Sequence, residues 1–295
     1  MSLKLIATDM DGTLLTDNDK TFDREFFGEL LDRMDRLGVK FVVASGNQFK
    51  KLQEYMQGFH HRGILYIAEN GAYIANDERE ILVSGFSQHT VEQVVKVLDK
   101  FPRIGFVISG QKGAYMLRNR AEPISRIIRE HMEFLGADVT PEIDYLDFIN
   151  RFYPGTKTID SLEEMGDDTV VKFALQTHRR DIENIYQELL ELLPSKVVPV
   201  TSGFGAIDLV SRGVNKGSAL KWVGEKLDID AEDMIAFGDN SNDLEMLQFV
   251  GEGIAVSNAA PQVRSAADIV IGDNNAGSVL NYIETKLVQL EEAQK

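Results

Sequence analysis

The chain has 295 residues, of which 43% are hydrophobic, so one large domain or two unequal globular domains are expected. Its 47 acidic residues outnumber the 31 basic ones, and the net charge of −16 opposes binding to a nucleic-acid backbone. Because no apolar run could cross a bilayer and cysteine is absent, membrane spans and disulfides are excluded, and a cytoplasmic protein without membrane or nucleic-acid partners is expected.

A short apolar run over residues 5–8 predicts the first strand, which leads directly into Asp9, Asp11 and Gly12. Side chains two residues apart on an extended backbone point the same way, so the two carboxylates would repel each other if both were ionised. A cation between them would remove the repulsion, and Mg²⁺ is the simplest candidate because it prefers oxygen ligands. The alternative is a strand that ends in an Asx turn with Gly12 as its left-handed residue.

Strands alternate with helices up to residue 68, and this order predicts a parallel sheet flanked by helices. The predicted elements are a helix over 22–37, a strand over 39–44, a helix through 52–56 and a strand over 64–68. A hairpin then interrupts the alternation, with strands at 72–74 and 81–83 around the turn residues 76–78. An inserted domain is expected to begin there.

The middle of the chain predicts an α/β unit of mixed strand direction, with a polar, irregular stretch around Pro154 and Gly155. Its expected elements are helices over 88–98, 124–135 and 182–193 and strands over 104–109, 114–117, 170–176, 197–201 and 206–210. After Gly213 the first alternation resumes, with a helix through 220–223, strands over 234–237, 254–256 and 268–271, and a solvated, Glu-rich helix end at the C-terminus. The sequence therefore predicts a Rossmann-like parallel-sheet core over residues 1–84 and 211–295, interrupted by an inserted α/β cap over residues 85–210.

Polar residues follow several of the core strands. Ligands of open parallel sheets collect beyond the carboxyl ends of the strands, where residues distant in sequence converge. The loops concerned span residues 9–13, 45–47, 213–216 and 238–243. The last loop supplies Asp239 and Asp243, which are four residues apart at a helix start and would share one face. Alone they would be explained as helix caps, but together with Asp9 and Asp11 they would raise one another's pKa unless a cation such as Mg²⁺ is bound.

A phosphoryl group at a metal needs donors for its remaining oxygens. Ser45 offers a hydroxyl, and Gly46 and Asn47 offer backbone N–H groups at a helix start. Lys216 follows the Gly213 turn at the mouth of a returning strand and would complete the set. A lysine elsewhere in the sequence, not beside a strand end, would more simply be interpreted as a surface residue.

These loops, with the sequences DMDGT at 9–13, SGN at 45–47, Lys216 and GDNSND at 238–243, resemble the four ordered motifs of the haloacid dehalogenase superfamily. The insertion between the second and third motifs, together with ENGA at 69–72, is similar to the Cof-type branch with a large α/β cap. The segment PVTSGFG at 199–205 further resembles the sugar-phosphatase members of that branch.

The resemblance implies a Mg²⁺-dependent phosphomonoester hydrolase that acts on small phosphorylated metabolites, sugar phosphates in particular, through an aspartyl-phosphate. Asp9 would be the nucleophile, and Asp11 would act as the acid and then as the base. The Asp9 carboxylate, the Asp11 backbone carbonyl and Asp239 would hold Mg²⁺, and Asp243 would orient the metal site. The inserted cap would set substrate specificity.

The same resemblance places Ser45 and Lys216 among the catalytic residues, since they would contact the phosphoryl oxygens together with Gly46 and Asn242. Many relatives carry arginine where this chain has Asn47, so no phosphate contact is assigned to that side chain.

Two other functions are compatible with these residues. A phosphomutase or phosphotransferase would keep the aspartyl-phosphate and pass the phosphoryl group to a sugar. A phospho-accepting regulatory module would use an aspartate at a strand end without turnover. Asp11 argues against the module, because an acid–base group two residues from the phosphorylated aspartate promotes hydrolysis.

Overall fold

The computed structural model describes residues 3–134, 145–201 and 206–293. The chain divides into two compact units, one formed by Met1–Leu82 with Val214–Lys295 and the other by Val83–Gly213. The sequence placed these two junctions after residues 84 and 210. The second unit therefore interrupts the first within the chain.

Strands and helices follow one another throughout the described residues. The strands are β1 (Leu5–Thr8), β2 (Lys40–Ala44), β3 (Leu65–Ala68), β4 (Tyr73–Asn76), β5 (Glu80–Val83), β6 (Gly105–Gly110), β7 (Ala114–Leu117), β8 (Lys157–Ile159), β9 (Val170–Gln176), β10 (Val197–Thr201), β11 (Ala206–Ser211), β12 (Met234–Gly238), β13 (Glu252–Ala255) and β14 (Ile269–Val270). The helices are α1 (Arg24–Leu37), α2 (Phe49–Tyr55), α3 (Gln88–Leu98), α4 (Ala121–Phe134), α5 (Tyr145–Phe152), α6 (Ile182–Leu192), α7 (Lys216–Leu227), α8 (Leu244–Phe249), α9 (Pro261–Ala266) and α10 (Ser278–Ala293).

The first unit is built on one sheet with the strand order β14-β13-β12-β1-β2-β3-β4-β5. Strand β1 pairs in parallel with β12 on one side and with β2 on the other, and the parallel pairing extends to β13, β14 and β3. Strand β4 runs antiparallel to β3. The loops that follow β1, β2 and β12 therefore lie at one edge of the sheet, and the predicted parallel-sheet core is confirmed.

Helix α1 shows why an element of this unit begins and ends where it does. The Asp23 side chain accepts a hydrogen bond from the Phe26 N–H and caps the helix, so α1 starts at Arg24 rather than at the predicted residue 22. Gly38, at φ 72°, ends it in the left-handed conformation. The buried face of α1 consists of Phe27, Leu30, Leu31 and Met34. Burial of each such side chain stabilises the fold by about 2 kcal/mol.

The second unit contains a six-stranded sheet with the order β10-β11-β9-β6-β7-β8. Its neighbouring strands are antiparallel, except that β7 and β8 are parallel. Adjacent residues on β6 face opposite sides, so Phe106 packs in the cluster that includes Val94 of α3, whereas Val107 packs with Ile124 of α4. The predicted α/β unit of mixed strand direction is confirmed.

The prediction of an irregular stretch around Pro154 and Gly155 is wrong for the residues on either side, where α5 and β8 lie. Helix α5 has only eight residues, so the helical spacing of Leu146 and Ile149 is too short a signal to separate from chance. Ile149 is buried against the sheet, and this tertiary contact stabilises the short helix.

In the described residues of the returning half of the first unit, three α-helices follow α7. Helices α8 and α9 have six residues each, fewer than two turns, and the sequence pattern did not reveal them. The expected helix end at the C-terminus is α10, which buries Val279, Leu280, Ile283 and Leu287. These earlier turns belong to the core, whereas Gln289, Glu292 and Ala293 at the end of the helix are exposed, as expected for a solvated helix end.

Two predictions extend beyond the described residues. Residue 135, the last of the helix predicted over 124–135, lies outside them, as do residues 202–205 of the 199–205 motif. Within the described ranges, none of the helices has both the length and the apolar character needed to span a membrane.

Candidate active site

Asp9 follows β1 directly and lies at the carboxyl edge of the central strands. Its backbone N–H donates to the carbonyl of Phe237 in β12 (3.0 Å), and its side chain is buried. The turn after it requires Gly12, which has φ 78°, and a Cβ there would lie 2.7 Å from Oδ2 of Asp239. The loops after β1 and β12 are therefore packed closely enough to bring their carboxylates together.

Lys216 joins two of these carboxylates. Its Nζ donates to Oδ1 of Asp9 (2.7 Å) and to Oδ1 of Asp243 (2.6 Å), and the lysine is 1% exposed. It is the first residue of α7, and the Asn215 side chain caps this helix by accepting from the Ser218 N–H. Burial alone would lower the pKa of Lys216, but the carboxylates of Asp243 and Asp9 raise it above its ordinary value, so the ammonium stays charged.

Three carboxylates form a candidate metal site. Oxygens of Asp9, Asp239 and Asp243 lie within 4.8 Å of one another. Burial raises the pKa of Asp9 well above its ordinary value; Lys216 opposes this shift, whereas the charges of Asp243 and Asp239 increase it. Burial and the charge of Asp243 raise the pKa of Asp239 to about 6. One lysine cannot neutralise three carboxylates, and the remaining negative charge suits a divalent cation with oxygen ligands.

Asp243 also shapes the loop that carries Asp239. Its Oδ2 accepts hydrogen bonds from the backbone N–H groups of Asp239 and Asn240, both at 3.0 Å, while its Oδ1 accepts from Lys216. Both of its oxygens therefore have protein donors. These bonds fix the Asp239 backbone beside the loop that follows β1.

The Asp11 carboxylate lies outside the three-carboxylate group of the described residues. Its Oδ2 accepts from Nδ2 of Asn47 (2.6 Å), and its Oδ1 lies 3.1 Å from Nζ of Lys20. The Asp11 side chain is 41% exposed, in contrast to the buried Asp9. Two side-chain donors thus determine where this carboxylate lies.

Asp9 and Asp11 were expected from the sequence to point the same way, and the turn after β1 explains the difference. The strand ends at Thr8, so side-chain alternation does not continue through Asp11. The carbonyl of Met10 accepts from the N–H groups of Thr13 (3.3 Å) and Leu15 (2.9 Å), which turns the chain. The two carboxylates therefore have separate surroundings.

Ser45 and Gly46 follow β2, the neighbour of β1 in the sheet. Ser45 is buried; its N–H donates to the Ile67 carbonyl (2.8 Å), and its Oγ accepts from the Asn47 N–H (3.1 Å). A Cβ at Gly46 would lie 3.0 Å from Oδ1 of Asn70, so the absence of a side chain allows close approach.

Asn242 lies in the loop after β12, and its Nδ2 donates to Oδ1 of Asn70 (2.9 Å). Asn70 has φ 56° and ψ 31°, a left-handed conformation that asparagine tolerates better than most residues. This bond joins the loop after β12 to the segment after β3. The structure therefore places the predicted phosphate-binding Asn242 against Asn70.

A known family matches the chain along most of its length. The model for haloacid dehalogenase-like hydrolases covers residues 6–283. The chain belongs to this family. The predicted family is confirmed, and so is the predicted class of enzyme, a phosphatase.

Relatives of the hydrolase match along nearly its whole length. The 5-amino-6-(5-phospho-D-ribitylamino)uracil phosphatase YbjI of Escherichia coli K12 is 31% identical over 287 residues, which are 97% of each chain. The pyridoxal phosphate phosphatase YbhA of the same organism is 26% identical over 98% of this chain and 100% of its own. The solved structure of SMU.1108c from Streptococcus mutans UA159 has a TM-score of 0.83 at 26% identity and covers 97% of this chain and 100% of its own.

Two residues that the sequence pattern did not single out hold the loops of the candidate site in place. Thr13 donates from Oγ1 to Oδ1 of Asp239 (2.8 Å), and Asn258 donates from Nδ2 to the carbonyl of Gly12 (2.7 Å). Thr13 belongs to the first motif and could have been found there, whereas no spacing pattern distinguishes Asn258 from other loop asparagines.

Proposed function

We propose that the hydrolase is a Mg²⁺-dependent phosphomonoesterase that acts through an aspartyl-phosphate on small phosphorylated metabolites, with sugar phosphates as its substrates. The proposal depends above all on the buried cluster in which Lys216 contacts Asp9 and Asp243 while Asp239 lies beside them. Lys216 and a bound divalent cation would both oppose the rise in the pKa of Asp9 that burial causes, so its carboxylate would be ionised and could act as a nucleophile.

The donor set fits a hard divalent cation, because it consists of oxygens and carries excess negative charge. The Asp9 and Asp239 carboxylates and the Asp11 backbone carbonyl would hold Mg²⁺, and Asp243, whose oxygens already have protein donors, would orient them. Bound Mg²⁺ would supply positive charge that offsets the charge of the transferred phosphoryl group.

The first half of the reaction transfers the phosphoryl group to the protein. A carboxylate oxygen of Asp9 forms a bond to phosphorus, and the bond from phosphorus to the leaving oxygen breaks with its electron pair. Asp11 gives its proton to that oxygen, so the alcohol leaves neutral. Lys216, Ser45 and the Gly46 N–H would contact the phosphoryl oxygens.

The second half regenerates the enzyme. A water oxygen attacks phosphorus while Asp11 takes the water proton, and the bond between phosphorus and Asp9 breaks with its electron pair returning to the carboxylate. The net reaction consumes one water and one phosphomonoester and yields an alcohol and inorganic phosphate. Asp11 ends protonated, ready for the next turnover.

The choice of sugar phosphates is supported by the substrates for which the relatives are named. The substrate in the name of YbjI carries its phosphate on a ribityl chain, and that of YbhA is pyridoxal phosphate. Both are small phosphomonoesters, and YbjI, which has the higher identity of the two, acts on a phosphate borne by a sugar-alcohol chain. We further propose that the inserted unit, predicted as residues 85–210, sets the choice among such substrates.

Phosphate release from p-nitrophenyl phosphate, ribose 5-phosphate and pyridoxal phosphate, measured with Mg²⁺ and again with EDTA, tests this function. We expect Mg²⁺-dependent release by the wild type, none by Asp9→Asn, and wild-type rates for Asp19→Asn, which removes an exposed carboxylate from the following loop. Circular dichroism shows whether the variants fold alike.

The alternatives give different results in the same assay. Transfer of phosphate to a second sugar without release would indicate the phosphomutase. A long-lived phosphoprotein without turnover would indicate the regulatory module. Turnover that persists in EDTA would contradict the requirement for Mg²⁺.

A further inference from the structure

The Asp11 carboxylate is bound by two side chains, and no step of the proposed reaction uses either of them. Oδ2 accepts from the amide of Asn47 at 2.6 Å, and Oδ1 contacts the ammonium of Lys20 at 3.1 Å. An acid that must reach the leaving oxygen needs a fixed position, because a partly exposed side chain otherwise samples several rotamers.

We infer that Asn47 and Lys20 are positioning residues, which hold the Asp11 carboxyl group where it protonates the leaving oxygen. This inference rests on the proposed function. Neither residue touches the phosphoryl group in the proposed reaction, and both act through Asp11.

The backbone of Asn47 is fixed on both sides. Its N–H donates to Oγ of Ser45 (3.1 Å), and its carbonyl accepts from the N–H of Glu69 (3.0 Å). The short side chain that leaves this fixed point ends on Asp11. Asn47, which stands where many relatives have arginine, therefore hydrogen-bonds to Asp11.

The loop that carries Lys20 is also well anchored. The Thr16 N–H donates to the Thr21 carbonyl (2.8 Å), which closes the loop. Asp17 accepts from Nδ2 of Asn275 (3.0 Å), which ties the loop to a different part of the chain.

Lys20 itself has φ 49°, a left-handed conformation that lysine rarely adopts. Strained conformations of this kind persist only where the surrounding structure fixes them, and they cluster at functional sites. In this loop the ammonium of Lys20, the residue in the strained conformation, contacts the Asp11 carboxylate.

The leaving group provides a test that a merely structural role would not satisfy. Departure of a sugar alkoxide requires protonation, whereas p-nitrophenolate is stable enough to leave without it. Loss of a correctly placed acid should therefore slow formation of the phosphoenzyme from ribose 5-phosphate much more than from p-nitrophenyl phosphate, whereas the later hydrolysis of the phosphoenzyme is common to both substrates. A general loss of structure would slow both equally.

We would measure kcat and KM for both substrates with Asn47→Ala, Lys20→Met and Lys20→Arg. Asn47→Ala and Lys20→Met should each lower kcat/KM, which reports formation of the phosphoenzyme, about tenfold more on ribose 5-phosphate than on p-nitrophenyl phosphate. Lys20→Arg keeps the cation and should restore most of the rate. Lys50→Met, which alters an exposed lysine of α2, should match the wild type.

A double-mutant cycle with Asp11→Ala identifies the residue through which the two act. In the Asp11→Ala background, adding Asn47→Ala should produce no further difference between the substrates. Equal losses of kcat/KM on both substrates, or no loss, would overturn the inference and leave the proposed function intact. A wild type without Mg²⁺-dependent turnover would overturn the proposed function, and the inference with it. Lys20 is 41% exposed, so its variants test the inference even if Asn47→Ala fails to fold.

Discussion

Replacing Lys216 by methionine should destabilise the protein strongly. The ammonium is 1% exposed and lies 2.7 Å from Asp9 and 2.6 Å from Asp243. Methionine has a similar length, so the main change is that two buried carboxylates lose their shared cation. Removing one partner of a buried ion pair typically costs about 3–5 kcal/mol, because a buried charge is left without compensation.

Urea unfolding followed by circular dichroism, in EDTA at pH 7.5, would measure this loss. We expect the free energy of unfolding of Lys216→Met to fall by about 3–5 kcal/mol. Lys221→Met, which changes an exposed lysine of the same helix, should stay within about 0.5 kcal/mol of the wild type. If both variants lost the same small amount, the buried ion pair would not be a source of stability and this reasoning would be refuted.

Three further predictions concern the loops around this pair. Gly12→Ala should reduce turnover at least tenfold, because its Cβ would lie 2.7 Å from Asp239. Gly38→Ala, at φ 72° with open space around it, should lower only stability, and kinetics and urea unfolding distinguish the two effects. The pKa of Asp239 is raised from 3.8 to about 6, so between these pH values the folded metal-free protein binds more protons than the unfolded chain and its stability falls as the pH rises. Mg²⁺ competes with this proton, so the increase in Tm on adding Mg²⁺ should be larger at pH 7.5 than at pH 5. Asn258→Ala removes a 2.7 Å hydrogen bond to the Gly12 carbonyl and should weaken Mg²⁺ activation several-fold in a titration of activity against Mg²⁺. Unchanged activation would show that Asn258 does not hold the loop after β1 in place.

The positions of Asp9 and Lys216 could be predicted because they depend on strand order. Each lies just beyond a strand end or at a helix start, and parallel strands bring such positions to one edge. The pattern of apolar strands was sufficient to indicate that edge. It also indicated the mixed second unit.

The surroundings of Asp11 could not be predicted, because they depend on backbone geometry after the strand. The turn at Met10 and the left-handed conformation of Lys20 decide where the carboxylate lies, and neither leaves a periodic signal. For the same reason Asn258 and the short helix α5 were missed. Their positions depend on tertiary contacts rather than on local pattern.

The central claim is that Asp9 becomes phosphorylated during turnover, and one measurement tests it most directly. Asp11→Asn is mixed with Mg²⁺ and p-nitrophenyl phosphate, quenched in acid, digested and analysed by mass spectrometry. This substrate needs no protonation to leave, but hydrolysis of the intermediate lacks its base, so the phosphoenzyme should accumulate. We predict phosphate on the peptide that contains Asp9, and none when Asp9→Asn is added. Phosphate on another residue, or release of p-nitrophenol without any phosphorylated peptide, would contradict the claim.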